Sequence, residues 1–319
     1  TVSTGTIEVF GNVMNQGMII IGSGNFISNF YFDGNGGVID FTDNGELTIK
    51  HESVVSFGDL DANFGTVNYH ASGLPQSIEE FEIFANLKID NAEGLQLNSS
   101  IEVNKAVDFA NGLIYSSSSN SLKMNAFSYV AAVSNTSHVF GEMKKETNST
   151  APFTFPIGDG DNYMGLTITP ATSNTGTYTA KYETSPHSSS SNFYPTTGFD
   201  HVSELYWWNL IGPNCDVGLN WNANSLVDDH TNIVLANYNP ATADWGVAGS
   251  TLTSSTGGGS STNSDGRVSS QIGNLGIGDF TLGSHSILPS NGATCNDHRL
   301  HIDCSNFYCH SSRFRFGLG

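Results

Sequence analysis

Basic residues are scarce: 11 Lys and Arg stand against 30 Asp and Glu, for a formal charge of -19. A surface so acidic repels phosphate backbones and anionic lipid, which excludes nucleic acid as a partner class. The first 125 residues contain no Arg and only Lys50, Lys88, Lys105 and Lys123. An Arg-based lyase site for acidic sugars is thereby excluded from that region. Charged residues reach only 13%, against roughly 25% in ordinary soluble domains. No run approaches the ~18 apolar residues of a membrane span. Missing too are a G-x-S-x-G elbow, a phosphate-binding loop and an H-E-x-x-H helix. What remains suits divalent cations, salty surroundings or basic partners.

Gly, Ser, Thr and Asn fill the space that charge leaves. Gly and Asn supply the φ > 0 positions of tight turns, and little of the sequence favours long helices. The 319 residues suffice for one large or two medium domains. A start at Thr1, with no Met and no charged-then-apolar leader, fits either a processed mature chain or a trimmed one.

Residues 1–125 alternate very short apolar runs with Gly/Asn turns. Thr6-Ile7-Glu8-Val9-Phe10, Met18-Ile19-Ile20-Ile21, Val38-Ile39-Asp40-Phe41, Leu47-Thr48-Ile49, Thr66-Val67-Asn68-Tyr69 and Leu87-Lys88-Ile89 are examples. Each is too short for a helix and has strand periodicity. Strand-turn-strand units without longer strands, and Asn in the turns, predict a right-handed β-helix, with Asn side chains laddering between coils. Near Asn125 the texture changes. Runs lengthen and become aromatic, as in Gly176 to Tyr182 and Glu204 to Leu210, which predicts an antiparallel β-sandwich over 126–288. Ser185 to Asn192 and Thr253 to Ser264 read as Ser/Gly-rich loops.

Residues 289–319 differ again. They hold Cys295, Cys304 and Cys309, together with Arg299, Arg313 and Arg315. Two Asp against three Arg leave this tail at +1 and the rest at -20. A docking segment, a fusion and a misread frame all fit such a tail.

Few residues suggest chemistry. The carboxylate pairs Asp59/Asp61 and Asp40/Asp43 lack the His or basic neighbours that mark a hydrolase site. Asp228-Asp229-His230 alternates faces and reads as a solvated turn. Asp59-x-Asp61-x-Asn63 places oxygens at alternate positions as a calcium loop does, but Phe64 and His70 stand where an EF-hand needs Gly and Glu. Asp159 and Asp161 form a second oxygen-rich turn. Calcium is thus the one cofactor the sequence offers, against plain Asx turns. Trp207, Trp208 and Trp245 fill a core or stack on sugars. Cys215 with Cys295, Cys304 and Cys309 allows three disulfide pairings, which the sequence cannot rank; the C-x8-C-x4-C spacing fits no common zinc finger. Asn98, Asn135 and Asn148 head N-x-S/T triplets, acceptor sites only in a eukaryotic secretory setting.

Two ordered sets of residues resemble a known family. Gly65 to Tyr69, Leu74 to Ile78, Phe84 to Ile89, Val103 to Val107 and Ala110 to Leu113 are similar to the repeat of large Bacteroidetes surface adhesins. Phe140 to Lys145, Phe153 to Gly160, Tyr163, Glu204 to Trp207, Val217-x-Leu219-x-Trp221 and Phe280 to Ser284 follow that family's second signature in order. Leu288-Pro289 sits where the family passes toward a type IX sorting module, which the Cys/His/Arg tail replaces. The resemblance covers about residues 1–289 and implies a secreted or outer-surface protein that adheres or builds structure, without catalytic residues to carry over. Self-association, neighbouring surface proteins and glycans are the expected partners, with a self-assembling fibre subunit as one form. A carbohydrate-binding module is the alternative, and a polysaccharide-cleaving enzyme ranks last.

Overall fold

The computed structural model describes residues 1–190, 201–227, 229–248, 250–252, 262, 264–270 and 278–284. They form an all-β chain: a β-solenoid of about eight coils, then antiparallel sheets. Two compact units result. The first comprises Thr1–Ser149, Phe155–Tyr163 and Ser173–Lys181; the second takes Thr150–Thr154, Met164–Thr172 and the described residues from Tyr182 onward.

The solenoid has three walls of parallel strands. On the first wall, Thr6, Asn25, Glu46, Thr66, Asn86 and Ala106 are successive partners, 19 to 21 residues apart. A second wall runs from Val13–Met14 through Phe32–Asp33, Gln76–Ile78 and Leu95–Leu97 to Ile157–Gly158. The third begins with Met18–Ile21, Val38–Phe41 and Asp59–Leu60. Two long strands then serve two walls at once. In Glu82–Asp90 and Ile101–Asn111, Glu82 to Phe84 pairs Ile101 to Val103, and Asn86 to Lys88 pairs Ala106 to Asp108 after a register shift. A bulge there bends each strand around a corner.

Strand alternation sends one set of side chains inward, where identical positions stack into columns. Leu47, Val67, Leu87 and Val107 make one column, all buried. Phe32, Phe57 and Phe84 make an aromatic one, with centroids 5.9 Å apart at each step. Polar side chains bridge the corners. Asn15 Nδ2 donates to Val38 O at 3.0 Å, Asn91 Nδ2 to Leu74 O at 2.9 Å, and Asn104 Nδ2 to Ala62 O at 2.8 Å. Asparagine side chains thus link coils, here through backbone carbonyls of other coils. Gly112 has φ +100°, and a Cβ there would sit 1.9 Å from Asn91 O; only glycine lets successive turns approach so closely.

Parallel pairing does not stop near Asn125. Leu122–Met124 continues into Glu142–Thr147, and Val139–Phe140 into Ile157–Gly158. What ends the stack is a change of direction: Glu142–Thr147 pairs antiparallel with residues 176–181. The change of texture near residue 125 thus falls inside the stack, ahead of the second unit.

The second unit contains two antiparallel ladders. Leu166–Pro170, Cys215–Asn222, Asp265–Ser270 and Ser250–Leu252 form one. Trp207–Ile211, Gly278–Ser284, Ile233–Asn239 and Asp244–Val247 form the other. Ile233–Asn239 also lies close to Asp265–Ser270 and Ser250–Leu252 of the first ladder. No helix among the described residues is long and apolar enough to cross a membrane.

Candidate functional site

The tryptophans are structural. Trp208 is fully buried and its Nε1 donates to Met164 O at 2.8 Å; Trp245 is equally buried and donates to Ser189 O at 3.1 Å. Neither presents a face to a sugar, which corrects that expectation for both. Trp207 is half-buried and meets the His187 ring edge-on at 5.0 Å. His187 lies among Trp207, Tyr238 and Trp245, with Nε2 3.2 Å from Asp279 Oδ2. Its Nδ1 accepts the Ser189 backbone N–H at 3.1 Å, so Nε2 carries the proton toward Asp279. Ser189 Oγ donates to Tyr238 Oη at 3.0 Å. These bonds hold an aromatic core together and leave the hydroxyl no base.

The oxygen-rich turns close on themselves. Asp61 Oδ1 accepts the backbone N–H of Asn63 at 2.8 Å and its Nδ2 at 3.2 Å. Asp159 Oδ1 accepts the N–H groups of Asp161 and Asn162 at 2.8 and 2.7 Å. Among the described residues no three His, Cys, Asp or Glu side chains converge as metal ligands. Asp59, Asp61 and Asn63 instead line a shallow acidic groove of about 560 Å³ with Asp40 and Met18. Asp229 caps the short turn His230–Asn232; Asp228 lies outside the described residues. Cys215 faces inward, and burial foremost, then Asp216, pushes its thiol up to about 12. Cys295, Cys304 and Cys309 lie outside the described residues, as does the whole 289–319 segment.

A different site stands on the outer face of the first wall. A groove of about 370 Å³ is lined by two outward columns of the ladder. One column is Glu46, Thr66, Asn86, Ala106 and Tyr129. The other contributes Lys88, Asp108 and Ala131. Strand spacing of about 4.8 Å makes its four steps about 19 Å long. Ala106 lies between Asn86 and Tyr129 in its column and Ala131 next to Asp108 in the other, so the floor dips where these small side chains flank Tyr129. That ring is 62% exposed, and Phe127 in the same turn is 84% exposed.

Several lining groups are fixed by the wall itself. Glu46 Oε1 accepts from Thr48 Oγ1 and Asn68 Nδ2, both at 2.8 Å. Asn86 Nδ2 donates to Gly65 O at 2.6 Å. Asn68, the register partner of Lys88, is buried and keeps Oδ1 without a partner. Glu46 and Asp108 are three rungs apart, about 14 Å, outside the about 5–9.5 Å that glycosidic carboxylate pairs need. The sequence holds the signal for this site only as a column: positions 46, 66, 86, 106 and 129, which share a face once the coil length is known. No family model, curated protein or solved structure matches the chain.

Proposed function

We propose that the chain is a secreted or cell-surface protein with an adhesive and structural role, of the kind implied by its resemblance to Bacteroidetes surface adhesins. The observation that carries this reading is the outer face of the first wall. Its polar side chains are held by one another across coils, forming a rigid surface that binds at little ordering cost. Its carboxylates are spaced for gripping and not for paired acid-base work. A self-assembling form draws support from the large apolar side chains exposed along the solenoid, among them Phe64, Phe81 and Phe127, which contact with a second copy would cover.

Beads coated with the purified protein are expected to attach to cells or to a polysaccharide-coated surface, while beads coated with a denatured sample do not. Attachment no better than that of the denatured control overturns the adhesive role. Electron microscopy of native material tests the assembly form, which predicts repeating particles and fails on single ones.

A further inference from the structure

We propose that the first-wall groove binds a linear, uncharged polysaccharide, laid along the stack axis with one sugar ring on Tyr129. The inference rests on the adhesive reading, since it names what that face grips.

Four observations point to this class of ligand. The groove follows the stack axis, and its rungs repeat at about 4.8 Å, close to the advance of one pyranose unit in an extended chain. Polar groups of both kinds recur along it: the Thr66 hydroxyl, the Asn86 amide, the Lys88 ammonium, and the Glu46 and Asp108 carboxylates. A chain of hydroxyls satisfies such a mixture, since each hydroxyl both donates and accepts. Tyr129 offers an apolar ring face with a polar tip, suited to the C–H face of a sugar. The alanine floor at Ala106 and Ala131 leaves room beside that ring for a flat unit, where a larger side chain would fill the dip.

Charge and backbone bonding exclude the competitors. Two carboxylates against one ammonium, on a chain of net charge -19, disfavour uronic or sulfated chains. Peptide strands pair through free backbone groups at an edge. The strands lining this groove have ladder neighbours on both sides from Glu46–Ile49 to Ile101–Asn111, and the one open edge, on Tyr129–Ala131, is three residues long, too short to seat an extended peptide along the groove.

The test uses the full chain and titrates β-1,4- and β-1,3-linked glucan oligosaccharides of two to six units, with polygalacturonate oligomers as the acidic control. Affinity for at least one neutral series is expected to rise up to about four units, the number that about 19 Å accommodates, and then flatten. Tyr129→Ala is expected to weaken binding roughly three- to tenfold, and Tyr129→Phe to restore most of it. Asp108→Ala is expected to cost roughly tenfold. Phe10→Ala, on the first coil, is the control and leaves affinity unchanged; circular dichroism checks that each variant is folded.

Bead attachment read in parallel separates the two claims. Attachment that persists in Tyr129→Ala and is not competed by neutral glucans overturns the glycan inference and leaves adhesion standing. Glucan binding that needs Tyr129 without bead attachment upholds the inference and overturns adhesion. Tighter binding of polygalacturonate than of either glucan overturns the assignment to an uncharged chain.

Discussion

Raising the pH from 4.5 to 8 is expected to destabilise the solenoid through one side chain, Glu82. It occupies an inward position in a column whose next members are Ile101, Leu122 and Met143. Burial pushes its carboxyl from an ordinary 4.5 up to about 7, with Glu80 adding to the rise and the Phe57 backbone N–H opposing it. The groups around its small cavity are the carboxyls of Glu79 and Glu80 and the phenol of Tyr69, whose Oη is buried without a partner. Tyr69 is itself held neutral by burial and by Glu82. No cation lines the cavity.

The folded state therefore holds this proton more tightly than the unfolded chain. Between pH 4.5 and about 7 the unfolded state gives it up first, so stability falls as pH rises. At 1.36 kcal/mol per pKa unit the loss reaches about 3 kcal/mol above pH 7. Urea unfolding of the wild type and of Glu82→Gln, measured at half-unit steps, isolates the effect, because the other carboxylates contribute equally to both. The difference between the two proteins should change by about 3 kcal/mol from pH 4.5 to 8, in the direction that favours the Gln protein at high pH. A difference that stays flat across that range refutes the burial argument. Since solenoid coils can open separately, amide exchange at Tyr69 and Phe84 provides the local reading.

Three further outcomes follow from the packing. Lys145 continues the inward column of Phe84, Val103 and Met124, and its Nζ donates to the carbonyls of Asn125, Ala126 and Ser128; Lys145→Met should cost about 3 kcal/mol or more in urea unfolding, by leaving buried acceptors unpaired. Gly112→Ala should cost at least about 1–3 kcal/mol, from φ +100° and the collision with Asn91 O, and a melting temperature equal to wild type would contradict it. The peptide carrying Cys215 should stay unalkylated by iodoacetamide at pH 8 in the native protein and react after denaturation, as mass spectrometry can read; native labelling would contradict a thiol pushed to about 12.

The strand class was legible because each apolar run was short and turn-bounded. Val38 to Phe41 and Thr66 to Tyr69 became strands as read. The stack boundary was not legible. Tyr129 to Ala131 falls in the 126–288 stretch read as an antiparallel sandwich, yet it pairs parallel with Ala106 to Asp108 inside the solenoid. Parallel or antiparallel pairing depends on a distant partner, and a single run carries no trace of it. The tryptophans stayed open between two readings for a similar reason: ring chemistry suits sugar stacking and core packing, and burial decides between them for Trp208 and Trp245. Glu46, Asp108 and Tyr129 drew no notice in the chain because a site made of rungs exists only after coils of 20 to 23 residues bring them into line.

That coil length makes the molecule a ruler. Each coil inserted or deleted between Thr66 and Ala106 would shift Tyr129 relative to Glu46 by about 4.8 Å, without altering either side chain. The length of chain that the groove can measure is thereby written in the copy number of a segment of about twenty residues, and a descendant could change it by a single in-frame duplication.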